Sequence, residues 1–155
     1  MLAYVFWHRP GDGVDPNEYE EGLRAFHRSL DYRSAAFRLE QLPFGTGGGY
    51  EDWYLVEDWS ALGDLNQRAV DSRHRPRHDQ VAAGTARGWG GIYELVRGAG
   101  GVPRATRWLD KPLDEPSDRF LASLGEGTIW RRQLVLGPAP EYCAEAAEAA
   151  GRVAV

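Results

Sequence analysis

The sequence predicts an α+β protein built on an antiparallel sheet, with the helices on one face of that sheet. Three observations indicate this fold class. Short runs rich in β-branched and aromatic residues alternate with stretches that repeat apolar residues at helical spacing. Clusters of Pro and Gly separate these runs. Up to residue 98 the predicted order is β-α-β-β-α-β, the split βαβ arrangement, which places both helices against the same face.

The first predicted strand and helix set the pattern for the rest of the chain. Residues 4–9 are mostly aromatic or β-branched and stop at a Pro-Gly turn. Asp15 is the predicted N-cap of the helix that follows, with Pro16 in its first position and Glu18 completing a capping box. Apolar residues then recur at helical spacing from Tyr19 to Leu30. We therefore expect this helix to pack its apolar face on a sheet.

Three more strands and a second helical region complete this unit. Residues 35–42 alternate apolar and polar side chains, which predicts a second strand. Residues 51–59 return as a third strand after a glycine-rich hairpin loop, so the two strands should be antiparallel. Helical spacing resumes after Ser60, a candidate N-cap, and is interrupted at Pro76. Residues 92–97 form the fourth predicted strand.

The chain is expected to divide at a glycine-rich link. Residues 1–98 make up the βαββαβ domain, and residues 99–155 form an extension with a further β-α-β order. The predicted elements of the extension are two strands, a short helix between them and a terminal helix: residues 105–109, residues 128–136, the segment around Phe120, and residues 141–150. We expect the extension to pack on the same sheet or on a partner subunit.

One face of the predicted sheet carries no helix. The strands are rich in aromatic residues, so this face would expose a large apolar patch if the domain stood alone. A second copy of the chain, placed by two-fold symmetry, covers such a patch most simply. The sequence therefore predicts a homodimer in which the two sheets close into an α/β barrel.

Composition and charge narrow the expected partners and compartment. The 155-residue chain has a formal net charge of −5 at pH 7, which argues against general nucleic-acid binding. No apolar span approaches the length of a membrane helix, and the first residues lack the features of a signal peptide. A single cysteine, Cys143, allows no internal disulfide. We expect a cytoplasmic protein that binds neither nucleic acid nor membranes.

Basic and histidine-containing segments are candidates for binding ions. Residues 73–78 form a dense basic cluster, which a solvated helix–loop junction explains better than an anion site. His74 and His78 have the spacing of a helical metal site, but a proline lies between them and prevents a continuous helix. A metal site made of His8, His27 and a carboxylate stays open as an alternative. We predict no resident metal and no cofactor.

His27 is the predicted catalytic residue. It borders the apolar stripe of its helix, which should leave it half-buried near the sheet, where neighbours can adapt its imidazole to acid–base chemistry. The alternative is a boundary histidine that is hydrogen-bonded to the backbone. If strand alternation turns Arg38 and Glu40 away from the helices, they line the space between subunits and can orient a ligand; the alternative is an ion pair at the sheet edge. The candidate ligand-binding residues are His8, Arg38, Glu40, Tyr54 and Asp58.

Four stretches of the first domain carry a family resemblance. They are the strand at residues 4–9, the end of the first helix near His27, residues 53–59, and residues 90–96. With these stretches, residues 1–98 resemble the dimeric α/β-barrel superfamily, which includes antibiotic-biosynthesis monooxygenases, EthD-like proteins and muconolactone-isomerase-like proteins. The resemblance implies a ferredoxin-like fold in a homodimer, and a helix histidine near the place of His27 takes part in catalysis in several members. The last third of the chain departs from the family.

The function expected from these features is that of a cofactor-independent enzyme of the monooxygenase, isomerase or cyclase type, acting on a small apolar or aromatic molecule. The sequence has no Ser-His-Asp order, dinucleotide fingerprint or zinc-ligand spacing. It is in this respect similar to the cofactor-independent members of the superfamily, in which the substrate supplies the reactive electrons and the protein supplies positioning and an acid–base group. The alternative is a non-catalytic dimer that binds a small ligand or serves in assembly, with haem binding as a minor branch.

Overall fold

Eight strands form one curled antiparallel sheet in the computed structural model, which describes residues 1–45, 47–148 and 150–155. The strands are β1 Leu2–Pro10, β2 Arg33–Leu39, β3 Gly49–Val56, β4 Thr85–Arg97, β5 Thr106–Leu109, β6 Ile129–Leu136, β7 Tyr142–Glu145 and β8 Arg152–Ala154. The helices are α1 Pro16–Ser29, α2 Trp59–Ala69, α3 Arg75–Gly84 and α4 Ser117–Ser123. The strand order in the sheet is β5-β7-β6-β4-β1-β3-β2-β8. The predicted α+β class is confirmed.

Helix α1 begins where the sequence places its cap. The side chain of Asp15 accepts hydrogen bonds from the backbone N–H groups of Asn17 and Glu18, at 2.9 and 3.0 Å. These bonds satisfy two of the helix's free N-terminal donors, and Pro16 needs none. Along the helix, Leu23 is fully buried and packs towards the sheet. The predicted start of the helix and its apolar face are confirmed.

The two faces of the sheet are visible in the alternation of the central strand β1. Tyr4, Phe6 and His8 point to the side where α1, α2 and α3 lie. Val5 and Trp7 point to the opposite side, where they are fully buried in a second apolar cluster. Both faces of the central strands are therefore covered, and each strand contributes residues to two separate cores.

The face opposite the helices is covered by the chain itself. Trp7 and Trp53 are fully buried there, and the ring of Trp108 on β5 lies 4.9 Å from that of Trp7 and 5.7 Å from that of Trp53. Because three strands lie between β5 and β1, this contact requires the sheet to curl. The expectation of an uncovered apolar face is wrong, and the reason for predicting a dimer does not hold.

The segments after residue 98 join the sheet at both of its ends. Strand β6 pairs with β4 and continues through β7 to β5, while the short β8 pairs with β2 at the other edge. Helix α4 packs through Phe120 on Ile129 and Tyr142, which lie on these added strands. The last third of the chain thus contributes four of the eight strands.

The predicted helix at residues 141–150 is wrong. Tyr142, Cys143 and Ala144 are buried in β7, which pairs with both β5 and β6, and residues 146–148 are not helical; Ala149 lies outside the described residues. Pairing on two sides and burial outweigh the modest helix preference of Ala and Glu. No helix in the part of the chain that the structure describes is long and apolar enough to cross a membrane.

Candidate functional site

A cavity of about 660 Å³ lies between the sheet and helices α1, α2 and α3. Its walls are mostly apolar, and every one of these elements contributes to them. The principal apolar lining residues are Tyr4, Phe6, Phe26, Leu30, Leu62, Leu65, Val81 and Ile92. Trp59 and Leu134, which are 55% and 56% exposed, also line it and mark its contact with solvent. The cavity is thus suited to a ligand that is largely apolar.

His8 and Asp52 form a buried polar pair in the lining of this cavity. They are 1% and 3% exposed, and His8 Nε2 lies 3.2 Å from Asp52 Oδ2. They face the same side because Asp52 stands opposite Phe6 in the β1–β3 ladder, one diagonal position from His8. Burial acts to raise the pKa of Asp52, but the nearby His8 and His27 outweigh it and hold that pKa below its ordinary value. Asp52 is therefore a carboxylate at neutral pH.

The other ring nitrogen of His8 belongs to a chain of hydrogen bonds. His8 Nδ1 lies 2.6 Å from the hydroxyl of Tyr19 on α1, and this hydroxyl lies 2.6 Å from Thr85 Oγ1 at the start of β4. Burial raises the pKa of Tyr19 to about 12, so its hydroxyl keeps its hydrogen. The His8 ring is also flanked by the nearly parallel rings of Phe6 and Tyr50, with centroids 5.4 and 5.5 Å away. These contacts hold the imidazole in one orientation.

His27 reaches the same carboxylate from helix α1. Its ring is stacked on Tyr54, with centroids 4.8 Å apart, and its side chain is 9% exposed. His27 Nε2 lies 3.5 Å from Asp52 Oδ2 and 3.3 Å from the Tyr54 hydroxyl, which itself donates to Asp52 Oδ2 at 3.3 Å. The structure thus brings together three of the sequence-selected residues, His8, His27 and Tyr54, around Asp52.

Unsatisfied polar atoms are concentrated in this cluster. Among the described residues, four buried side-chain atoms have no hydrogen-bond partner, and three of them are His8 Nε2, Asp52 Oδ1 and His27 Nδ1. An unsatisfied buried polar atom costs about 1–3 kcal/mol, so proteins rarely keep several in one place. Their concentration beside a cavity is typical of a site that binds or transforms a ligand.

Three other sequence-selected residues lie elsewhere. Arg38 donates to Glu20 on α1 at 3.0 Å, so the expectation that it faces away from the helices is wrong. Glu40 follows the end of β2 and is exposed. Asp58 is the N-cap of α2, where it accepts a hydrogen bond from the backbone N–H of Ala61, and it takes the role predicted for Ser60. None of Arg38, Glu40 and Asp58 is among the residues that line the cavity.

The histidine arrangements considered for metal binding have other partners. His74 contacts Asp71 Oδ1 at 2.8 Å and the backbone oxygen of Ser29 at 2.9 Å, whereas His78 contacts Asp79. His8 and His27 do converge on a carboxylate, Asp52. However, the described ranges contain no group of three or more His, Cys, Asp or Glu side chains arranged to hold a metal ion.

Sequence reasoning missed Asp52, Tyr19 and Thr85. Asp52 carried a signal that could have been used, because an aspartate in the middle of an aromatic strand is unfavourable unless a partner or a function retains it. It also shares a strand face with Tyr54, two residues on, which was selected. Tyr19 was assigned to the apolar stripe of α1, and its hydroxyl was not considered.

Comparisons with known proteins add little to this geometry. No protein-family model matches the sequence, and neither does any curated protein. Among solved structures, an uncharacterized NIPSNAP domain protein from Burkholderia xenovorans aligns with a TM-score of 0.43 and 15% identity, over 64% of this chain and 96% of that chain. A similarity of this size carries no inference about chemistry, so the case for a function depends on the cavity and its polar cluster.

Proposed function

We propose that this protein is a cofactor-independent enzyme that binds a small, largely apolar or aromatic molecule between its sheet and its helices and transfers a proton to or from it. The observation that carries the proposal is the buried His8–Asp52 pair in the lining of the 660 Å³ cavity. This volume falls within the range of small-molecule sites, roughly 300–1,000 Å³. The apolar walls would hold the ligand by burial, and the polar pair would orient its reacting group.

The polar cluster has the chemical groups that proton transfer needs. Histidine is the side chain that serves most often as a general acid or base, and both His8 and His27 are placed against the Asp52 carboxylate. His8 Nε2 and Asp52 Oδ1 have unused hydrogen-bonding capacity for a ligand. Isomerase and cyclase reactions without a cofactor depend on such proton transfers, and a cofactor-independent monooxygenase must first deprotonate its substrate. The geometry favours this shared step over any one of the three reaction types.

The strand order supports our proposal that the first part of the chain has a ferredoxin-like fold. The first four strands lie in the order β4-β1-β3-β2, which is the antiparallel order of a ferredoxin-like βαββαβ unit.

We also propose a homodimer, on a different ground from the sequence argument. Trp59 and Leu134, both more than half exposed, would be covered by a second copy of the chain. Sedimentation at micromolar concentration tests it, since a single stable subunit would contradict a dimer.

Ligand binding is tested with naphthol and indole as probes, by isothermal titration calorimetry. Ala82 and Ala83 are neighbouring exposed residues of α3, but only Ala82 is among the lining residues. Ala82→Trp should therefore abolish binding of the probes, whereas the matched control Ala83→Trp should bind them as the wild type does. Absence of binding to the wild type, or equal binding by the two variants, would contradict the proposed site.

Proton transfer is tested by exchange of the hydrogens next to the carbonyl of indanone in deuterated water, followed by NMR. General acid–base groups contribute about 10²–10⁴-fold to such rates. His8→Gln and Asp52→Asn should lower the protein-dependent exchange by a factor in this range without loss of probe binding. Probe binding with no protein-dependent exchange would favour the alternative, a non-catalytic ligand-binding protein. A haem absorbance band on titration with haemin would favour its haem-binding branch.

A further inference from the structure

A row of three hydrogen bonds connects helix α3 to the His8 imidazole. Thr85 Oγ1 donates to the backbone oxygen of Val81 at 3.0 Å. The Tyr19 hydroxyl lies 2.6 Å from Thr85 Oγ1 and also 2.6 Å from His8 Nδ1. The residues come from α3, β4, α1 and β1, so the row crosses from the helical layer to the sheet. All of its contacts have the distances of well-formed hydrogen bonds.

The backbone oxygen of Val81, at the α3 end of the row, fixes the direction of every hydrogen bond in this row. A backbone oxygen only accepts, so the single hydroxyl hydrogen of Thr85 goes to Val81. Thr85 Oγ1 must then accept the hydrogen of Tyr19, which leaves the Tyr19 oxygen as an acceptor towards His8. The hydrogen between Tyr19 and His8 therefore belongs to His8 Nδ1.

We propose that the hydroxyls of Tyr19 and Thr85 are positioning groups that fix a hydrogen on His8 Nδ1. They thereby make His8 Nε2 the atom that exchanges a proton with Asp52 and with a bound ligand. The role of Nε2 towards a ligand rests on the proposed function, whereas the position of the hydrogen on Nδ1 does not. When Nε2 gives its proton to a ligand oxygen, the N–H bond breaks and an O–H bond forms. His8 is then left neutral with its hydrogen on Nδ1, and the Asp52 carboxylate is unchanged.

The surroundings of Nε2 agree with this assignment. If His8 were neutral with its hydrogen on Nδ1, the Nε2 lone pair would face the Asp52 carboxylate at 3.2 Å, which is repulsive. A proton on Nε2 removes this repulsion, and Asp52, whose pKa is held below its ordinary value, stays a carboxylate. The aromatic rings of Phe6 and Tyr50, both near-parallel to the imidazole, also favour a positive charge beside them.

The hydrogen position can be measured directly by heteronuclear NMR of the full-length protein with isotope-labelled histidine. His8→Gln identifies the His8 signals among the four histidines. The titratable groups that face His8 are Asp52 and Tyr50 on β3 and Tyr19 on α1, and His27 approaches the same oxygen of Asp52 as His8 does. We expect the wild type to carry a hydrogen on Nδ1.

Thr85→Val is the decisive variant, because it keeps the shape of the side chain and removes the hydroxyl. Tyr19 then has no acceptor on that side and is free to donate to His8 Nδ1, so Nδ1 should lose its hydrogen. Tyr19→Phe should have the same effect, since it removes the acceptor for Nδ1–H. Thr85→Ser should restore the wild-type form. Tyr50→Phe is the matched control: it removes a hydroxyl from a ring beside His8 without touching the row, and should leave the hydrogen on Nδ1.

The two halves of the inference fail in different ways. A wild-type ring with no hydrogen on Nδ1, or a Thr85→Val spectrum identical to the wild type, overturns the inference whatever the protein does with ligands. The expected spectra without any indanone exchange would leave the tautomer assignment intact and contradict the proposed function. If exchange occurs, Thr85→Val should lose it by a larger factor than Tyr50→Phe; equal losses would overturn the positioning role.

Discussion

Replacing Glu51 by Gln should destabilise the protein strongly, although the two side chains have nearly the same size. Glu51 is completely buried on the face opposite the helices. Its Oε2 accepts from the indole N–H groups of Trp7 and Trp108, each at 2.9 Å. Its Oε1 accepts from Trp53 at 2.7 Å and from Arg152 Nη2 at 2.8 Å. The carboxylate thus joins β1, β3, β5 and β8 at one point.

The magnitude follows from the number of donors that an amide cannot serve. Gln has one oxygen, so either Trp7 and Trp108 or Trp53 and Arg152 would face an NH₂ group, which only donates. Two unsatisfied buried donors cost about 1–3 kcal/mol each, and loss of one partner of a buried ion pair costs about 3–5 kcal/mol. Because these costs overlap, we expect a loss of about 3–5 kcal/mol out of the 5–15 kcal/mol typical of a domain.

Urea denaturation followed by far-ultraviolet circular dichroism measures this loss. Glu94→Gln is the control, since Glu94 lies 3.4 Å from Arg131 in a half-exposed pair of the same sheet. Surface pairs of this kind contribute about 0–1 kcal/mol, so the control should stay close to the wild type. If Glu51→Gln also stayed within about 1 kcal/mol of the wild type, the three indoles and Arg152 would not depend on the Glu51 charge, and the reasoning above would be refuted.

Two further substitutions have distinct expected outcomes. The pKa of Asp52 is lowered in the folded protein, so its carboxylate stabilises the fold above the ordinary Asp pKa and loses this effect as the pH falls towards the lower folded-state pKa. The melting temperatures of the wild type and Asp52→Asn should therefore differ at neutral pH and begin to converge once the pH falls below about 4; a constant difference would contradict this. Gly63 lies inside α2, and a Cβ there meets no atom within 4 Å. Gly63→Ala should therefore stabilise the protein by about 0.5–1 kcal/mol, which is measured as a higher melting temperature. A lower melting temperature would show that the added methyl group clashes.

Local features of the fold were predictable, and long-range pairing was not. The cap at Asp15 and the apolar face of α1 depend on residues within a few positions of one another. The covering of Trp7 and Trp53 by Trp108 joins segments more than 50 residues apart, and no local periodicity encodes it. The same limitation explains residues 141–150 in part, where pairing with the neighbouring strand β6 and with the more distant strand β5 decides the structure.

The site was predictable in part for the same reason. Position on the first helix was enough to select His27, and position on the strands was enough to select His8 and Tyr54. Alternation shows which residues share a face of a strand, but it does not show which face meets the helices. Arg38 was therefore placed on the wrong side, and the cavity was expected between subunits instead of between the sheet and the helices of one chain.

Glu51 and Asp52 show why we assign the proposed function to the cavity face. They are consecutive residues of β3, both buried, and they point to opposite faces of the sheet. On one face Glu51 receives hydrogen bonds at both oxygens from three indoles and an arginine, which leaves no capacity for a ligand. On the other face Asp52 Oδ1 and the adjoining His8 Nε2 have no hydrogen-bond partner among the described residues. A fold that can satisfy one buried carboxylate so completely has no structural need to leave its neighbour incomplete, and the unused hydrogen-bonding capacity of Asp52 is therefore the ground on which we propose a ligand in the cavity.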